Sequence, residues 1–336
     1  MERTMRILVV SLALLIVAGA WLFTYPEPPV DPAWQLQAPA EVPEGVVTVR
    51  FSGTSTLLFD DGDTRWMVDG WFSRPGVLKL LGGKVAPDLQ AIDYGLSMNQ
   101  VQRLSALIPV HSHYDHAMDS PEVARRTGAV VIGSAATANI SRGWGLPEAQ
   151  IREVDDRETV ALGDFRVTFY ESQHFQFPDP QMVDRLLTNS EIPEPLVPPV
   201  SVYDYKLGKA YILHVEHPRG SALVVGSAGF IPGMLDELDV DVLFLGVGGL
   251  GSQTAQYRED YWRYVVEAVN PERIVPIHWD SLTGPLDGPM TGEIRIAGLV
   301  SGGEDNTLAF LKDKAAQNPA VPLQTLPRFA KMVLFP

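Results

Sequence analysis

Residues 111 to 116 read His-Ser-His-Tyr-Asp-His, directly after the apolar stretch Ala106 to Val110. Four strong nitrogen or oxygen donors in six positions require a common partner, because such groups are costly to bury unpaired. On an extended segment side chains alternate with period two, so His111 and His113 project to one side and reach the same metal ion. Asp115 and His116 fall where the chain turns toward a helix opened by Ser120-Pro121-Glu122, and they serve a second ion. The chain contains no cysteine. Thiolate zinc sites, disulfide scaffolds, a catalytic Cys and a lipidated N-terminal Cys are therefore excluded, and any metal is held by His, Asp and Glu.

The N-terminus is a separate region. Residues 7 to 23, ILVVSLALLIVAGAWLF, form an apolar run with Ser11 as its one polar residue, preceded by Arg3 and Arg6. That charge order marks an export segment. Ala18-Gly19-Ala20 has the small-x-small form of a cleavage site, while the run just reaches the length of a membrane span, so residues 1–23 are a signal peptide or a retained anchor. Either way the folded part is expected outside the cytoplasm, periplasmic or membrane-anchored, with membrane contact through this segment if it is uncleaved. Six prolines between residues 24 and 45 predict an extended linker. One domain then spans residues 46–336. The excess of 41 acidic over 26 basic side chains, a net charge of −15, disfavours a phosphate-gripping surface, so nucleic acid is not expected as a partner.

From Val46 the sequence alternates β-rich runs with helical stretches. VVTVRFSG, STLLFDDG and RWMVDGW predict an antiparallel meander broken at Gly53 and Asp61-Gly62. NQVQRLSALIP reads as helical, as do EVARRTG and TAQYREDYWRYVVEAVN; AVVIG, FRVTFYES, VSVYDYKL, AYILHVEH, SALVVGS, DVLFLGV and RIVPIH read as strands. Interleaved strands and helices in both halves predict an α/β layered fold with the strands inside.

The hexapeptide and its setting resemble the signature of the metallo-β-lactamase-fold hydrolases over residues 46–290. FSGTSTLLFDDGDTRWMVDGWFS looks like that superfamily's opening strands, with Asp69 placed behind the metal site as an acceptor for a ligand histidine. GDFRVTFYESQH resembles the strand that delivers its next histidine, His174, and VDVLFLGVGG with RIVPIH those leading to its last, His278. The branch most resembled contains the L-ascorbate-6-phosphate lactonases and the N-acylphosphatidylethanolamine phospholipase D enzymes. The resemblance implies a four-layer αββα sandwich with a mono- or dinuclear metal site at one edge. It groups His111, His113 and His174 in one ligand set and Asp115, His116 and His278 in another. It also implies a metal-bound hydroxide, oriented by Asp115, that attacks an ester, lactone, amide or phosphodiester. His-rich ligation suits zinc, with manganese or iron as alternatives. One position departs from the pattern: SALVVGSAGF carries Ser227 where dinuclear relatives place a bridging aspartate, which weakens the second site and motivates the alternative of a metal-binding protein with little hydrolytic activity.

Other residues have plainer readings. His214 and His217 are structural or exposed, Asp280 a turn cap, and GVGGLG at 246 to 251 a set of tight turns. Tyr114, between ligands, faces the cleft or packs under the metals. Residues 175–200, with six prolines, and residues 72–98 are candidate lids. Trp71, Phe72, Phe175 and Phe177 are expected to form an apolar mouth for a small or lipid-like substrate, with Tyr114, Trp71 and Phe175 as its substrate contacts. Oligomeric state is not readable from this sequence.

Overall fold

In the computed structural model, which describes residues 2–177, 179–296 and 303–336, the chain from Val47 onward builds two sheets. The first takes β1 (Val47–Gly53), β2 (Thr56–Asp60), β3 (Arg65–Val68), β4 (Ala106–Ile108), β5 (Val130–Gly133) and β6 (Ile151–Glu153). The second takes β7 (Thr159–Leu162), β8 (Phe165–Ser172), β9 (Ala210–His217), β10 (Gly220–Val225), β11 (Val242–Gly246) and β12 (Arg273–Ile277). The final strand β13 (Met332–Phe335) returns to the first sheet beside β1, giving the orders β13-β1-β2-β3-β4-β5-β6 and β12-β11-β10-β9-β8-β7.

Helices accompany the strands, and several of them cover the outer faces of the sheets. They are α1 (Glu2–Leu22), α2 (Val77–Gly82), α3 (Leu89–Met98), α4 (Tyr114–Ala117), α5 (Ser120–Thr127), α6 (Ala135–Gly143), α7 (Pro180–Leu186), α8 (Ala255–Tyr261) and α9 (Glu304–Gln317). α8 runs on into a π-helical turn, Trp262–Glu267. Strand alternation explains the layering. Leu57, Phe59, Trp66 and Val68 point inward and meet Phe165, Val167 and Phe244 of the second sheet, with the Phe59 and Trp66 rings stacked at 4.4 Å. Their neighbours Leu58, Met67, Leu107 and Val131 point outward and are covered by Ile92, Leu96, Val123 and Ala124 of α3 and α5. Trp262, Val265, Phe310 and Leu311 cover the other sheet in the same way.

Several expectations change. Residues 99–109 are not helical: the helix lies earlier, as α3, which Asn99 ends, and the chain then runs extended to β4, with Ser105 N donating to Arg65 O. VSVYDYKL is not a strand, because Ser201 and Asp204 form a reciprocal cap that closes a short 3₁₀ turn, Val202–Asp204. The 24–45 segment is docked rather than free. Val30 is buried, Trp34 packs on the core, Tyr25 Oη donates to Thr283 O, and Gly292 N donates to Pro26 O. α1 carries the window Met5–Leu22, of mean hydropathy 2.3, long and apolar enough to cross a membrane and unburied in the structure.

Candidate metal centre

The site gathers where strands of both sheets end. Asp69 directly follows β3, and its φ of 58°, in the left-handed region, is held by hydrogen bonds from every side. Its backbone N donates to Ile108 O, Oδ1 accepts from Val110 N at 2.9 Å, and Oδ2 accepts from Ser55 Oγ at 2.5 Å and His116 Nδ1 at 2.8 Å. β4 runs through Val110 into the hexapeptide, which bends rather than staying extended, and His113 becomes the N-cap of α4. α4 then turns Asp115 and His116 into the interior. From the second sheet, His174 follows β8 and His278 follows β12, the latter at φ 58° with its N donating to Thr54 O at 2.5 Å.

Two groups of donors result. One ligand atom each from His111, His113 and His174 lie within 4.8 Å of one another, and so do those of Asp115, His116 and His278. Outer partners decide which nitrogen faces inward. The His116 proton sits on Nδ1 toward Asp69, so Nε2 faces Asp115 Oδ2 at 3.6 Å. His174 donates from Nδ1 to Phe175 O at 2.8 Å, which frees Nε2. His113 places Nε2 toward Leu186 O at 3.4 Å, leaving Nδ1 at 3.1 Å from His111 Nε2. His278 Nε2 lies 3.3 Å from the same Asp115 oxygen that His116 faces. A third cluster, Asp61, Asp164 and His217, differs: His217 Nδ1 accepts from Arg219 N, so Nε2 carries the proton and turns no lone pair toward Asp61.

Burial sets the protonation of the first group. Desolvation and the neighbouring imidazoles hold His111 and His174 well below their ordinary value, and burial lowers His113 to about 4. All three are neutral at pH 7, the form that ligates metal. Burial raises Asp115, but His116 and His278 lower it further, and its carboxyl titrates below the usual range. For His116 burial is outweighed by Asp69 and Asp115, and its pKa is raised. Five imidazoles and one carboxylate, with the inward nitrogens of His113, His116 and His174 fixed by outer acceptors, fit a two-ion centre.

This pattern has a pH consequence for metal-stripped protein. Unfolding releases three suppressed imidazoles, which then bind protons near about 6.5, so the unfolded state holds more protons below that pH. Stability is expected to be full above about pH 6.5 and to fall as pH drops toward about 4, with His116 opposing in one part against three. Urea unfolding of chelator-treated protein across that window checks the sign; a rise in stability on acidification contradicts it.

Not every expected contact lies at the mouth. Trp71 and Phe72 are wholly buried. Trp71 lies beneath the Arg74 guanidinium at 4.0 Å and meets Tyr114 edge-on at 6.0 Å, while Phe72 packs on Gly95 of α3. Tyr114, Phe175 and Phe177 are the partly exposed rings, with Phe175 and Phe177 leaning on His174. Asp280 Oδ1 accepts from Thr54 N at 2.6 Å, and Oδ2 lies between Arg74 and Arg328. Ser55, Thr54, Leu186 and these two arginines carry no local sequence signal, since each acts through a distant strand or loop. Gly248 packs so closely that a Cβ there would come within 2.5 Å of His278 Nδ1.

No family model matches the chain. A UPF0173 metal-dependent hydrolase of Pyrobaculum islandicum is 22% identical over 241 residues, covering 69% of this chain and 84% of that protein. A protein of the same description from Myxococcus xanthus is 25% identical over 270 residues, 77% of this chain and 80% of its own. Igni18, a metallo hydrolase from Ignicoccus hospitalis, superposes with a TM-score of 0.51 at 14% identity, over 85% of this chain and 97% of that one. With the two sheets, the helix-covered faces and the site at their edge already described, this alignment decides the architecture. The chain has the metallo-β-lactamase fold. CmlA, a diiron beta-hydroxylase from Streptomyces venezuelae, also aligns with this metallo-β-lactamase fold, at TM-score 0.50 and 15% identity over 88% of this chain and 55% of that one. The architecture therefore does not choose the reaction; the site residues must.

Ser227 follows β10, and its Oγ is buried without a hydrogen-bond partner among the described residues. Nearby, Gly229 packs on the backbone of Gln173 and His174. Ser227→Asp adds a charge and a potential shared ligand. It is expected to tighten the weaker metal site if the carboxylate reaches about 2.0 to 2.2 Å from an ion. Zinc titration into stripped mutant and wild type reads this directly, and unchanged occupancy means that residue 227 does not face the ions.

Proposed function

We propose that this protein is an exported metal-dependent hydrolase, with zinc as its metal, acting on a small or lipid-like ester, lactone or phosphodiester. The observation that carries the reading is the sorting of six donors, five buried and His278 half-buried, into two trios, with the inward nitrogens of His113, His116 and His174 set by outer partners. Ions held by the two trios would supply Lewis acidity for activating water and polarising the scissile bond. The chain's own groups do the rest. Asp115, ionised by its two imidazole neighbours, accepts a hydrogen bond from water and orients it. Asp69 keeps the His116 proton on Nδ1, and Leu186 O does the same for His113 Nε2. Burial raises the Tyr114 phenol well above its ordinary value, so it stays protonated and can donate to a substrate oxygen. Phe175 and Phe177 supply an apolar wall.

The buried Ser227 hydroxyl favours a second reading, a metal-binding protein with little hydrolytic activity. Turnover of lactones, phosphodiesters and β-lactams by purified holoprotein separates the two: hydrolysis that vanishes with chelator and returns with metal supports the enzyme, and none across the panel supports the alternative. The apolar α1 motivates the location outside the cytoplasm. Recovery of the full chain from a soluble cytosolic fraction would contradict it.

A further inference from the structure

Apart from α1 and Phe23 directly after it, the exposed large apolar side chains among the described residues are Leu78, Leu81, Leu89, Tyr94, Met98 and Val197. They are confined to the two lid segments. Leu78 and Leu81 of α2 are the barest of those on residues 72–98, 74% and 64% exposed. Exposed apolar side chains concentrated in one place mark a surface that meets something. The charge there is also unusual. Between Asp69 and Asp88 a chain of net charge −15 has Arg74, Lys79 and Lys84 and no acidic residue. Arg74 is turned inward onto Trp71, so Lys79 and Lys84 give α2 and the residues just after it an exposed basic and apolar strip.

α2 is also joined to the apolar N-terminal helix through one cluster. Leu80 of α2 packs against the same buried group as Tyr114, Leu196 and Leu282, around Trp71 and Tyr205. The two lids are tied at Val85 and Val200, whose backbones exchange hydrogen bonds of 2.7 and 3.1 Å. On the other side of Leu282 the loop receives the chain leaving α1. Tyr25 bonds Thr283, Gly292 bonds Pro26, and the Arg295 guanidinium stacks on Trp21 and bonds Thr24 Oγ1. Packed and hydrogen-bonded residues thus link the end of α1, through the 282–295 loop, to the cluster that holds α2. Basic side chains beside exposed leucines are the composition of segments that lie in the headgroup layer of an anionic bilayer.

We propose that α2 and its flanks, residues 76–84, are a membrane-docking element that seats the cleft on an anionic phospholipid surface. Leu78 and Leu81 enter the acyl boundary while Lys79 and Lys84 reach the headgroup phosphates. The docking does not depend on hydrolysis, so its test is independent of the catalytic reading.

Because the chain has no cysteine, Leu78→Cys and Leu81→Cys each give a unique site for an environment-sensitive fluorophore. Asp164→Cys serves as a control, placed in the turn at the end of β8 remote from His174. Full-length labelled protein is reconstituted into vesicles of phosphatidylcholine with and without phosphatidylglycerol, with circular dichroism confirming the fold. The expected result is a blue shift and quenching by spin-labelled lipid at 78 and 81, confined to the anionic vesicles, absent at 164, and lost when Lys79→Glu and Lys84→Glu are added. Water-like emission at 78 and 81 in both vesicles overturns the proposal, as does equal immersion in both. A blue shift that grows with protein-to-lipid ratio instead assigns the face to a second copy of the chain and also overturns it.

Discussion

Protein carrying His111→Ala and His113→Ala together is expected to retain close to no tightly bound metal, where the native chain is expected to carry between one and two equivalents. The first trio would keep His174 alone, and a single imidazole is far short of the three protein ligands of an ordinary catalytic site. Loss of an ion from the first trio would also remove the neighbour beside which a second would be held. Activity on any substrate found should fall by more than ~100-fold, because altering an outer partner of a metal ligand already costs 10 to 100-fold. Removing two buried imidazoles leaves space rather than unpaired charge, so the mutant is expected to fold. Elemental analysis after dialysis, with circular dichroism alongside, checks this; a full complement of metal in the folded mutant would refute the ligand set.

Asp69 gives the second large effect. It touches no substrate, yet one buried carboxylate takes hydrogen bonds from Val110 N, Ser55 Oγ and His116 Nδ1. Asp69→Asn tolerates the left-handed backbone but offers an amide N–H where an acceptor is needed, so the His116 proton loses its partner. Metal affinity of the trio containing Asp115, His116 and His278 should drop about 10 to 100-fold, while the trio of His111, His113 and His174 is spared. Asp69→Ala should add a stability loss of about 1 to 3 kcal/mol for each donor left unpaired. Cobalt titration of stripped protein resolves the two sites by their spectra. Equal weakening of both would show that Asp69 supports the whole edge rather than His116.

What could be read from the chain was what is local. Four donors in six residues announce a metal site wherever the rest of the protein goes, and the β-rich runs around them announce strands inside a layered fold. His174 and His278 are different, since nothing near either one distinguishes it from an ordinary histidine; their places came from likeness to a known pattern of strands. The supporting contacts were out of reach, because Ser55 meets Asp69 and Thr54 meets Asp280 across folds of the chain. The misread segments have physical causes. VSVYDYKL alternates as a strand should, but the reciprocal cap of Ser201 and Asp204 outcompetes a ladder. Trp71 looked like a mouth residue by composition, yet stacking by Arg74 and packing by Tyr114 make it a floor.

Each trio draws on both sheets. His111 and His113 leave the first sheet and meet His174 from the second; Asp115 and His116 leave the first and meet His278 from the second. An ion held by either trio would therefore cross-link the halves of the sandwich, closing one chain loop from 111 to 174 or another from 116 to 278. Loop closures of that span are costly for an unfolded chain and already satisfied in the folded one. Free metal concentration thus enters the folding equilibrium of the entire molecule. In a metal-poor environment the protein would lose its rivets before it lost its strands, and activity and persistence would decline together.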